Sequence, residues 1–258
     1  MRGVSGGAGE NKGQSHGQGQ DLPRLVILPG LDGTGLLLAE FAQVLSTFFQ
    51  VQVITYPTDE PLSYDELLGH VRARLPAGPF LLIGESFSGP LALRLAAEHL
   101  TRVRGVILGA SFARLDLPLK SVLSSLSGLL AWVPAACAPM WLLDGVLSNG
   151  HATASGRALL KQALQTVAPV VWAGRVRQAL EVDLLAQGVR VRQPLLYLRA
   201  SHDRLMPANA AGLVASISGN ARVESIAGPH FIFQAEPQAC TKAIVAFHEA
   251  CVAMAAPR

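Results

Sequence analysis

Two serines stand one residue apart between two apolar runs, in the stretch LLIGESFSGPLAL from Leu81 to Leu93. A serine hydroxyl is a weak nucleophile, so a reactive serine must be exposed, close to a base and beside hydrogen-bond donors for an oxyanion. A sharp turn from a strand into a helix meets these needs, because it lifts the side chain above the sheet edge and aims free helix amides at the developing charge. The stretch therefore predicts a nucleophile at this turn.

Size distinguishes the two serines. Such a turn is crowded, so the residues two before and two after the nucleophile must be small. For Ser86 these residues are Gly84 and Ser88, whereas for Ser88 one of them is Pro90. A proline ring suits the first turn of the following helix, where no amide bond is lost. We predict that Ser86 is the nucleophile and that Ser88 takes the place of the glycine that is common there.

Short apolar runs alternate with longer segments of helical period along most of the chain. This alternation predicts an α/β fold with a mostly parallel sheet of about six strands flanked by helices. The runs are apolar at consecutive positions, which is typical of strands buried on both faces. The predicted strands are Leu25–Leu28, Val51–Tyr56, Phe80–Ile83, Val103–Leu108, Leu195–Leu198 and Val223–Ile226.

Helical patterns fill the intervals between the strands, and one interval is much longer than the others. Ser63 and Glu66 have the spacing of a capping box at the start of one helix. The alternation stops after Ser111 and resumes near Gln193, so residues 112–192 are predicted to form a helical cap inserted into a core of residues 21–111 and 193–258. The predicted core helices are Leu36–Ser46, Tyr64–Leu75, Gly89–His99, Asn209–Ile217 and Gln238–Ala253, and the cap patterns are Ala158–Val167 and Val176–Leu185.

With the turn Gly84-Glu85-Ser86-Phe87-Ser88 between a strand and a helix, the chain resembles the α/β-hydrolase family. In that family a serine, an acid and a histidine follow one another along the chain, each on a loop at the carboxyl end of a strand. The resemblance implies that the acid lies in LRASHDRLMP after the fifth strand, where Asp203 matches, and that the base lies in AGPHFIF after the last strand, where His230 matches.

The loop after the first strand, LPGLDGTG from Leu28 to Gly35, resembles the family's His-Gly-x segment with Pro29 in place of the histidine. The resemblance implies an oxyanion hole made by the backbone amides of Leu31 and Phe87. In detail, LPGLDGTG together with GESFSG is similar to bacterial esterase-like members and to the hydrolase part of plastid phytyl ester synthases. The resemblance covers roughly residues 25–253, and it matches the cap only in position.

Several residues near these motifs also have purely structural interpretations. Asp203 suits a turn or a helix N-cap, His202 beside it is a second titrating group, and Asp32 lies in good turn chemistry. Glu85, next to the nucleophile, lacks a partner carboxylate nearby and is expected to be packed or salt-bridged. The remaining candidates are the aromatic and sulfur side chains of the cap, which line either an acyl pocket or the cap's own core: Trp132, Met140, Trp141 and Trp172.

Composition excludes several other classes of protein. The 258 residues are 50% hydrophobic and 15% charged with a net charge of +3, and no Lys/Arg block with interleaved aromatics indicates nucleic-acid binding. Three cysteines without close pairing and histidines without ligand spacing indicate neither a disulfide framework nor a metal site, and no cofactor is expected. Residues 1–20 lack an apolar segment and are predicted to be a disordered tail, which favours a cytoplasmic protein.

One uncharged segment, Ser121–Leu143, is long enough to span a bilayer, but Pro134, Pro139 and its serines favour a buried or lipid-facing lid. The cap is thus the candidate surface for peripheral membrane contact. The expected function is a serine hydrolase that cleaves lipophilic carboxylic esters through Ser86, His230 and Asp203. Two alternatives remain open at this stage: acyl transfer to an alcohol by the same chemistry, and a binding protein that uses the fold without catalysis.

Overall fold

A computed structural model of the chain describes residues 22–98, 101–132 and 137–255. Within them, six strands form one parallel sheet with the order β2-β1-β3-β4-β5-β6, which confirms the predicted fold class. The strands are β1 (Arg24–Leu28), β2 (Gln50–Val53), β3 (Phe80–Glu85), β4 (Val103–Gly109), β5 (Leu195–Ala200) and β6 (Ala221–Ile226). The predicted tail, residues 1–20, and the predicted helix end at His99 lie outside the described residues.

Ten α-helices accompany the sheet in the described part of the chain. Their bounds lie close to the predicted ones in the core, and the capping box of Ser63 and Glu66 is confirmed at the start of the second helix. The helices are α1 (Ala39–Leu45), α2 (Tyr64–Arg72), α3 (Gly89–Ala97), α4 (Lys120–Leu126), α5 (Met140–Leu147), α6 (Ala154–Thr166), α7 (Pro169–Glu181), α8 (Ala210–Ser216), α9 (Ile232–Ala235) and α10 (Pro237–Ala255). Short 3-10 turns cover Leu36–Leu38, Ser86–Ser88 and Ser127–Trp132.

The core consists of two apolar layers, one on each face of the sheet. Side chains of successive strand residues point to opposite faces, so Leu82 joins the layer under α2, α3 and α8, while Leu81 and Ile83 join the layer under α1, α9 and α10. All three are essentially inaccessible to solvent. This double cover fixes the central strands β1, β3, β4 and β5, whose carboxyl ends carry the loops of interest.

The prediction that all six strands are buried on both faces was wrong for β2 and β6. These strands lie at the two edges of the sheet, and their burial alternates or is mostly lost. Val223 in β6 is 46% exposed. An edge strand has a neighbour on one side only, so an apolar run there does not guarantee burial.

Four helices, α4 to α7, form an insertion between β4 and β5, within the segment 112–192 predicted as a cap. Helix α6 packs against the 3-10 turn Leu36–Leu38, and α7 packs against α4 and the turn Ser127–Trp132. Within the described residues, no helix combines the length and the hydropathy needed to cross a membrane.

Candidate active site

Ser86 lies at the turn from β3 into α3 with a positive φ of 46°. This left-handed conformation costs energy for any residue with a side chain, and it persists only where the surroundings enforce it. The crossing of strand and helix is tight, because a Cβ on Gly84 would lie 2.8 Å from the carbonyl oxygen of Ser88 and 2.9 Å from Cβ of Ala92. The small residues around Ser86 are thus a steric requirement of the turn.

A chain of two hydrogen bonds joins the three side chains that the sequence selected. Oγ of Ser86 lies 3.0 Å from Nε2 of His230, and Nδ1 of His230 lies 2.9 Å from Oδ2 of Asp203. Asp203 follows β5 and His230 follows β6, so both loops leave the same edge of the sheet as the Ser86 turn. His230 is only 4% exposed, which shields its ring from competing water.

The carboxylate of Asp203 is held on both of its oxygens. Oδ1 accepts hydrogen bonds from the amides of Leu205 at 2.7 Å and Met206 at 2.9 Å, while Oδ2 faces His230. Burial by itself raises the pKa of Asp203, but the hydrogen bond and charge of His230 together with the two amides outweigh it, so the pKa lies below its ordinary value. Asp203 therefore remains ionised. Its neighbour His202 is exposed, and its ring lies 3.4 Å from the hydroxyl of Ser201.

The amide of Leu31 is free in a loop whose carbonyls are mostly hydrogen-bonded. This β1 loop, residues 29–35, closes a turn in which the amide of Gly33 donates to the carbonyl of Gly30 at 3.0 Å. Because a trans peptide directs its N–H opposite to its C=O, this bond turns the Leu31 amide outward from the turn. Among the described residues no acceptor takes that amide.

The amide of Phe87 is oriented in a similar way. Its peptide plane carries the carbonyl of Ser86, which accepts from the hydroxyl of Ser111 at 2.5 Å and from the amide of Gly89. A Cβ on Gly89 would lie 1.8 Å from Oγ of Ser111, so only glycine leaves room for that hydroxyl. The ring of Phe87 is buried and stacks on Tyr64 at a centroid distance of 4.8 Å.

The hydroxyl of Ser88 has a role that its small size did not reveal. Ser88 is fully buried, and its hydroxyl donates to the carbonyl of Pro29 in the β1 loop. A hydroxyl has one proton, so the hydroxyl of Tyr56, 2.5 Å away, must be the donor to Ser88. Burial raises the pKa of Tyr56 well above its ordinary value, which keeps that proton in place. Ser88 thus ties the β1 loop to the start of α3.

Glu85 is a buried carboxyl beside the nucleophile, bonded to two other segments. Its Oε2 accepts from the amide of Gly30 at 2.9 Å, and its Oε1 accepts from Nε2 of Gln234 at 2.8 Å. Burial raises the pKa of Glu85 to about 7, and the nearby charge of Asp32 raises it further. The hydrogen bonds from Gln234 and Gly30 lower the pKa but do not cancel this increase. Glu85 was expected to be either packed or salt-bridged. It is packed, since it is buried and none of the ion pairs among the described residues includes it.

Arg175 is the residue near the site that sequence reasoning missed. It lies on α7 of the insertion and is 2% exposed, and its guanidinium donates to the carbonyls of Leu31 and Asp32 in the β1 loop. The side chain of Asp32 forms the expected local turn by accepting from the amide of Thr34 at 2.9 Å. No sequence motif marks Arg175, because its partners lie more than 110 positions away along the chain.

The aromatic residues of the insertion do not enclose a pocket as a group. Trp132 and Trp141 are 86% and 77% exposed, so neither one belongs to a core of the insertion, whereas Trp172 and Met140 are half-buried. The interpretation as part of the cap's own core is therefore wrong for Trp132 and Trp141. In the described residues no group of three or more His, Cys, Asp or Glu side chains is placed to hold a metal ion.

No protein-family model matches the chain. Among curated proteins it is 31% identical over 204 residues to the biotin biosynthesis bifunctional protein BioHC of Cellvibrio japonicus, covering 75% of this chain and 40% of that protein. It is 36% identical over 87 residues to phytyl ester synthase 1 of Arabidopsis thaliana, covering 31% of this chain and 12% of the synthase. The chain thus spans less than half the length of both relatives. It is 27% identical to pyrrolizixenacetamide deacetylase of Xenorhabdus hominickii, with 72% of each chain covered.

Solved structures share the fold over most of the chain. A hydrolase from Pseudomonas aeruginosa PA01 superposes with a TM-score of 0.75 at 18% identity, covering 88% of this chain and 90% of that one. The enol-lactonase from Burkholderia xenovorans LB400 gives 0.74 at 19% identity, with 88% and 92% covered. This chain is an α/β-hydrolase-fold protein, as its sequence predicted. Within that class, its sequence is distantly similar to BioHC and to the phytyl ester synthases.

The raised pKa of Glu85 makes a prediction about stability. Between its ordinary value of 4.5 and about 7, the folded protein holds a proton that the unfolded chain has lost, so stability declines as the pH rises through this window. Glu85→Gln removes the titrating group. The side-chain amide of Gln234 then flips, so that its Oε1 accepts a hydrogen bond from the new amide at position 85. We expect the wild-type protein to lose about 3 kcal/mol relative to Glu85→Gln between pH 4.5 and pH 8, in urea unfolding at a series of pH values.

The control is Glu60→Gln, which removes an exposed carboxylate on the loop after β2. Its stability is expected to follow that of the wild-type protein across the same range. If Glu85→Gln also runs parallel to the wild-type protein, Glu85 does not carry the linked proton.

Proposed function

We propose that the chain is a serine hydrolase that cleaves carboxylic esters with an apolar acyl group. The observation that carries the proposal is the hydrogen-bonded chain from Ser86 to His230 to Asp203, with Ser86 in a strained left-handed turn beside a free amide. Nucleophile, base and orienting acid in hydrogen-bond contact are the arrangement that serine acyl-transfer chemistry requires. The hydrolase and enol-lactonase that share the fold are consistent with this class of reaction.

The reaction has two halves with the same groups. Oγ of Ser86 attacks the ester carbonyl carbon while Nε2 of His230 takes the hydroxyl proton, and the resulting oxyanion accepts hydrogen bonds from the amides of Leu31 and Phe87. The carbon–oxygen bond to the alcohol breaks, and His230 returns the proton to the leaving alkoxide. Water then attacks the acyl-enzyme with His230 as base, which releases the carboxylic acid and regenerates Ser86.

Asp203 acts through His230 in this scheme. Its carboxylate accepts from Nδ1 and so leaves Nε2 free to receive the serine proton. Once His230 is protonated, the ionised carboxylate at 2.9 Å stabilises the imidazolium. The low pKa of Asp203 matters because a protonated carboxyl would provide neither effect.

The same acyl-enzyme permits a second outcome, transfer of the acyl group to an alcohol. The local similarity to phytyl ester synthase 1, a protein whose name denotes ester formation, supports this second outcome. Water and alcohol compete for one intermediate, so product analysis with an added long-chain alcohol separates the two. Hydrolysis exceeding ester formation supports the proposal, and the reverse ratio supports acyl transfer.

Ser86→Ala is expected to abolish labelling by a fluorophosphonate probe and to lower turnover of short p-nitrophenyl esters by about four or more decades, since the nucleophile is removed. The matched control is Ser88→Ala, one residue from the same turn. It leaves the nucleophile intact but loosens the β1 loop, so labelling continues at a lower rate. Mass spectrometry of the labelled peptide and initial-rate kinetics provide the measurements. Labelling that survives Ser86→Ala contradicts the mechanism, and an inert wild-type protein favours the binding-protein alternative.

The exposed apolar side chains of the insertion support a second proposal, about contact with a lipid bilayer. Most of these side chains lie just before α4, on α4, on the following 3-10 turn and on α5, and the sequence from Ser121 to Leu143 contains no charged residue. Exposed tryptophans are well suited to the interface between lipid headgroups and acyl chains. These side chains, which we name the insertion apolar surface, are Leu119, Val122, Leu123, Leu126, Leu129, Leu130, Trp132, Trp141 and Leu142. We infer that this surface contacts a phospholipid bilayer peripherally.

Vesicle binding tests this contact. We expect the wild-type protein to co-sediment with neutral phosphatidylcholine vesicles, and the double variant Trp132→Ala/Trp141→Ala to partition at least about tenfold more weakly, because two large apolar side chains are lost. The control, Val252→Ala/Met254→Ala, removes exposed apolar side chains from α10, outside the surface. Equal partitioning of all three proteins contradicts the proposed contact.

A further inference from the structure

Arg175 is a buried cation whose hydrogen-bond partners are backbone carbonyls. Nη1 donates to the carbonyls of Leu31 at 3.0 Å and Asp32 at 2.6 Å, and Nη2 donates to that of Pro57 at 2.7 Å. None of the ion pairs among the described residues includes it. Taking a guanidinium out of water is costly, and burial lowers the pKa of Arg175. Such a placement calls for a role that a smaller apolar residue would not fill.

The guanidinium also packs directly on the backbone of the β1 loop. Gly33 has a φ of +69°, and a Cβ there would lie 2.7 Å from Nη1 of Arg175 and 2.8 Å from Cδ2 of Tyr56. The Arg175 guanidinium carbon lies 5.6 Å from the centre of the Tyr56 ring, within range of a cation–π interaction. Arg175 therefore forms one wall of the space that the loop occupies.

Two rigid peptide planes connect Arg175 to the Leu31 amide. The Asp32 carbonyl that Arg175 holds shares a plane with the amide of Gly33, and that amide donates to the carbonyl of Gly30. The carbonyl of Gly30 in turn shares a plane with the amide of Leu31. Holding the first carbonyl thus restrains the direction of the amide at the far end.

Helix α7 has other anchors on the core besides Arg175. The amide of Ala168, at its start, donates to the carbonyl of Thr58 at 2.8 Å, and Nε2 of Gln178 donates to the carbonyl of Leu62 at 2.9 Å. Val171 and Leu180 of the same helix are buried. A change at Arg175 therefore leaves α7 attached while it removes the contact with the β1 loop.

We propose that Arg175 is a positioning residue for ester cleavage, by which the insertion holds the β1 loop so that the Leu31 amide faces the oxyanion. The proposal rests on the proposed function of Ser86. Arg175 touches none of the reacting atoms, so its effect belongs to the transition state and not to substrate binding. Its loss leaves the oxyanion one well-placed donor short, and such a loss reduces turnover by about 100-fold or more.

The test compares Arg175→Met, which keeps the length of the side chain but has no donor, with Arg175→Lys, which keeps the charge but cannot match three carbonyls. The matched control is Arg177→Met on the same helix, where the arginine is exposed and pairs with Glu181. With p-nitrophenyl esters we expect kcat of Arg175→Met to fall by about 100-fold with KM changed less than threefold, an intermediate kcat for Arg175→Lys, and wild-type values for Arg177→Met.

The outcomes separate this proposal from the one on which it rests. A wild-type protein that neither reacts with the fluorophosphonate probe nor turns over esters removes the proposed function and this inference with it. An active wild-type protein with a folded Arg175→Met variant that keeps its kcat, or that changes KM alone, overturns the inference and leaves the function intact. Circular dichroism reports folding, and loss of folded structure in both Arg175 variants would assign the guanidinium to the fold and overturn the positioning role.

Discussion

The hydrogen bonding of the β1 loop is the constraint on which the rest of the candidate site depends. Three other segments hold its backbone: the Ser86 turn through Glu85 and Ser88, the chain after β2 through Tyr56, and the insertion through Arg175. Buried backbone polar groups without hydrogen-bond partners are costly, so the carbonyls of this buried loop need donors from the surrounding segments. The amide of Leu31 is left without an acceptor among the described residues, as the proposed oxyanion hole requires. The sheet edge and the insertion act together in making this arrangement.

Two carboxyl groups close to Ser86 have opposite electrostatic settings. Burial raises the pKa of Glu85 to about 7, whereas hydrogen bonds and the proximity of His230 hold the pKa of Asp203 below its ordinary value. Different environments thus move the pKa values of two neighbouring carboxyls in opposite directions. Asp203 accepts a hydrogen bond from His230, and Glu85 links the β1 loop to the segment that follows His230. The carboxyl with the lowered pKa is the one in contact with the ring of His230.

The sequence was sufficient to predict the parallel sheet and the helical insertion, because the alternation of strands and helices follows from local patterns. The resemblance to a known fold selected Asp203 and His230, which the structure brings into hydrogen-bond contact with Ser86 and with each other. The sequence was insufficient for contacts made between distant segments. Arg175 lies on a helix whose pattern gives no sign of a buried cation, and the hydroxyl of Ser88 looked like a substitute for glycine. The sequence also did not predict the exposure of the two edge strands or of Trp132 and Trp141. Burial of a residue depends on which distant segments pack against it, and a local pattern does not contain that information.

The most direct test of the central claim is a crystal structure of the protein after reaction with a fluorophosphonate, whose phosphoryl oxygen stands in for the oxyanion of the tetrahedral intermediate. The account predicts phosphorus bonded to Oγ of Ser86, with that oxygen about 2.7–3.1 Å from the amide nitrogens of both Leu31 and Phe87. Phosphorus on any other residue, or a phosphoryl oxygen turned away from both amides, would contradict it.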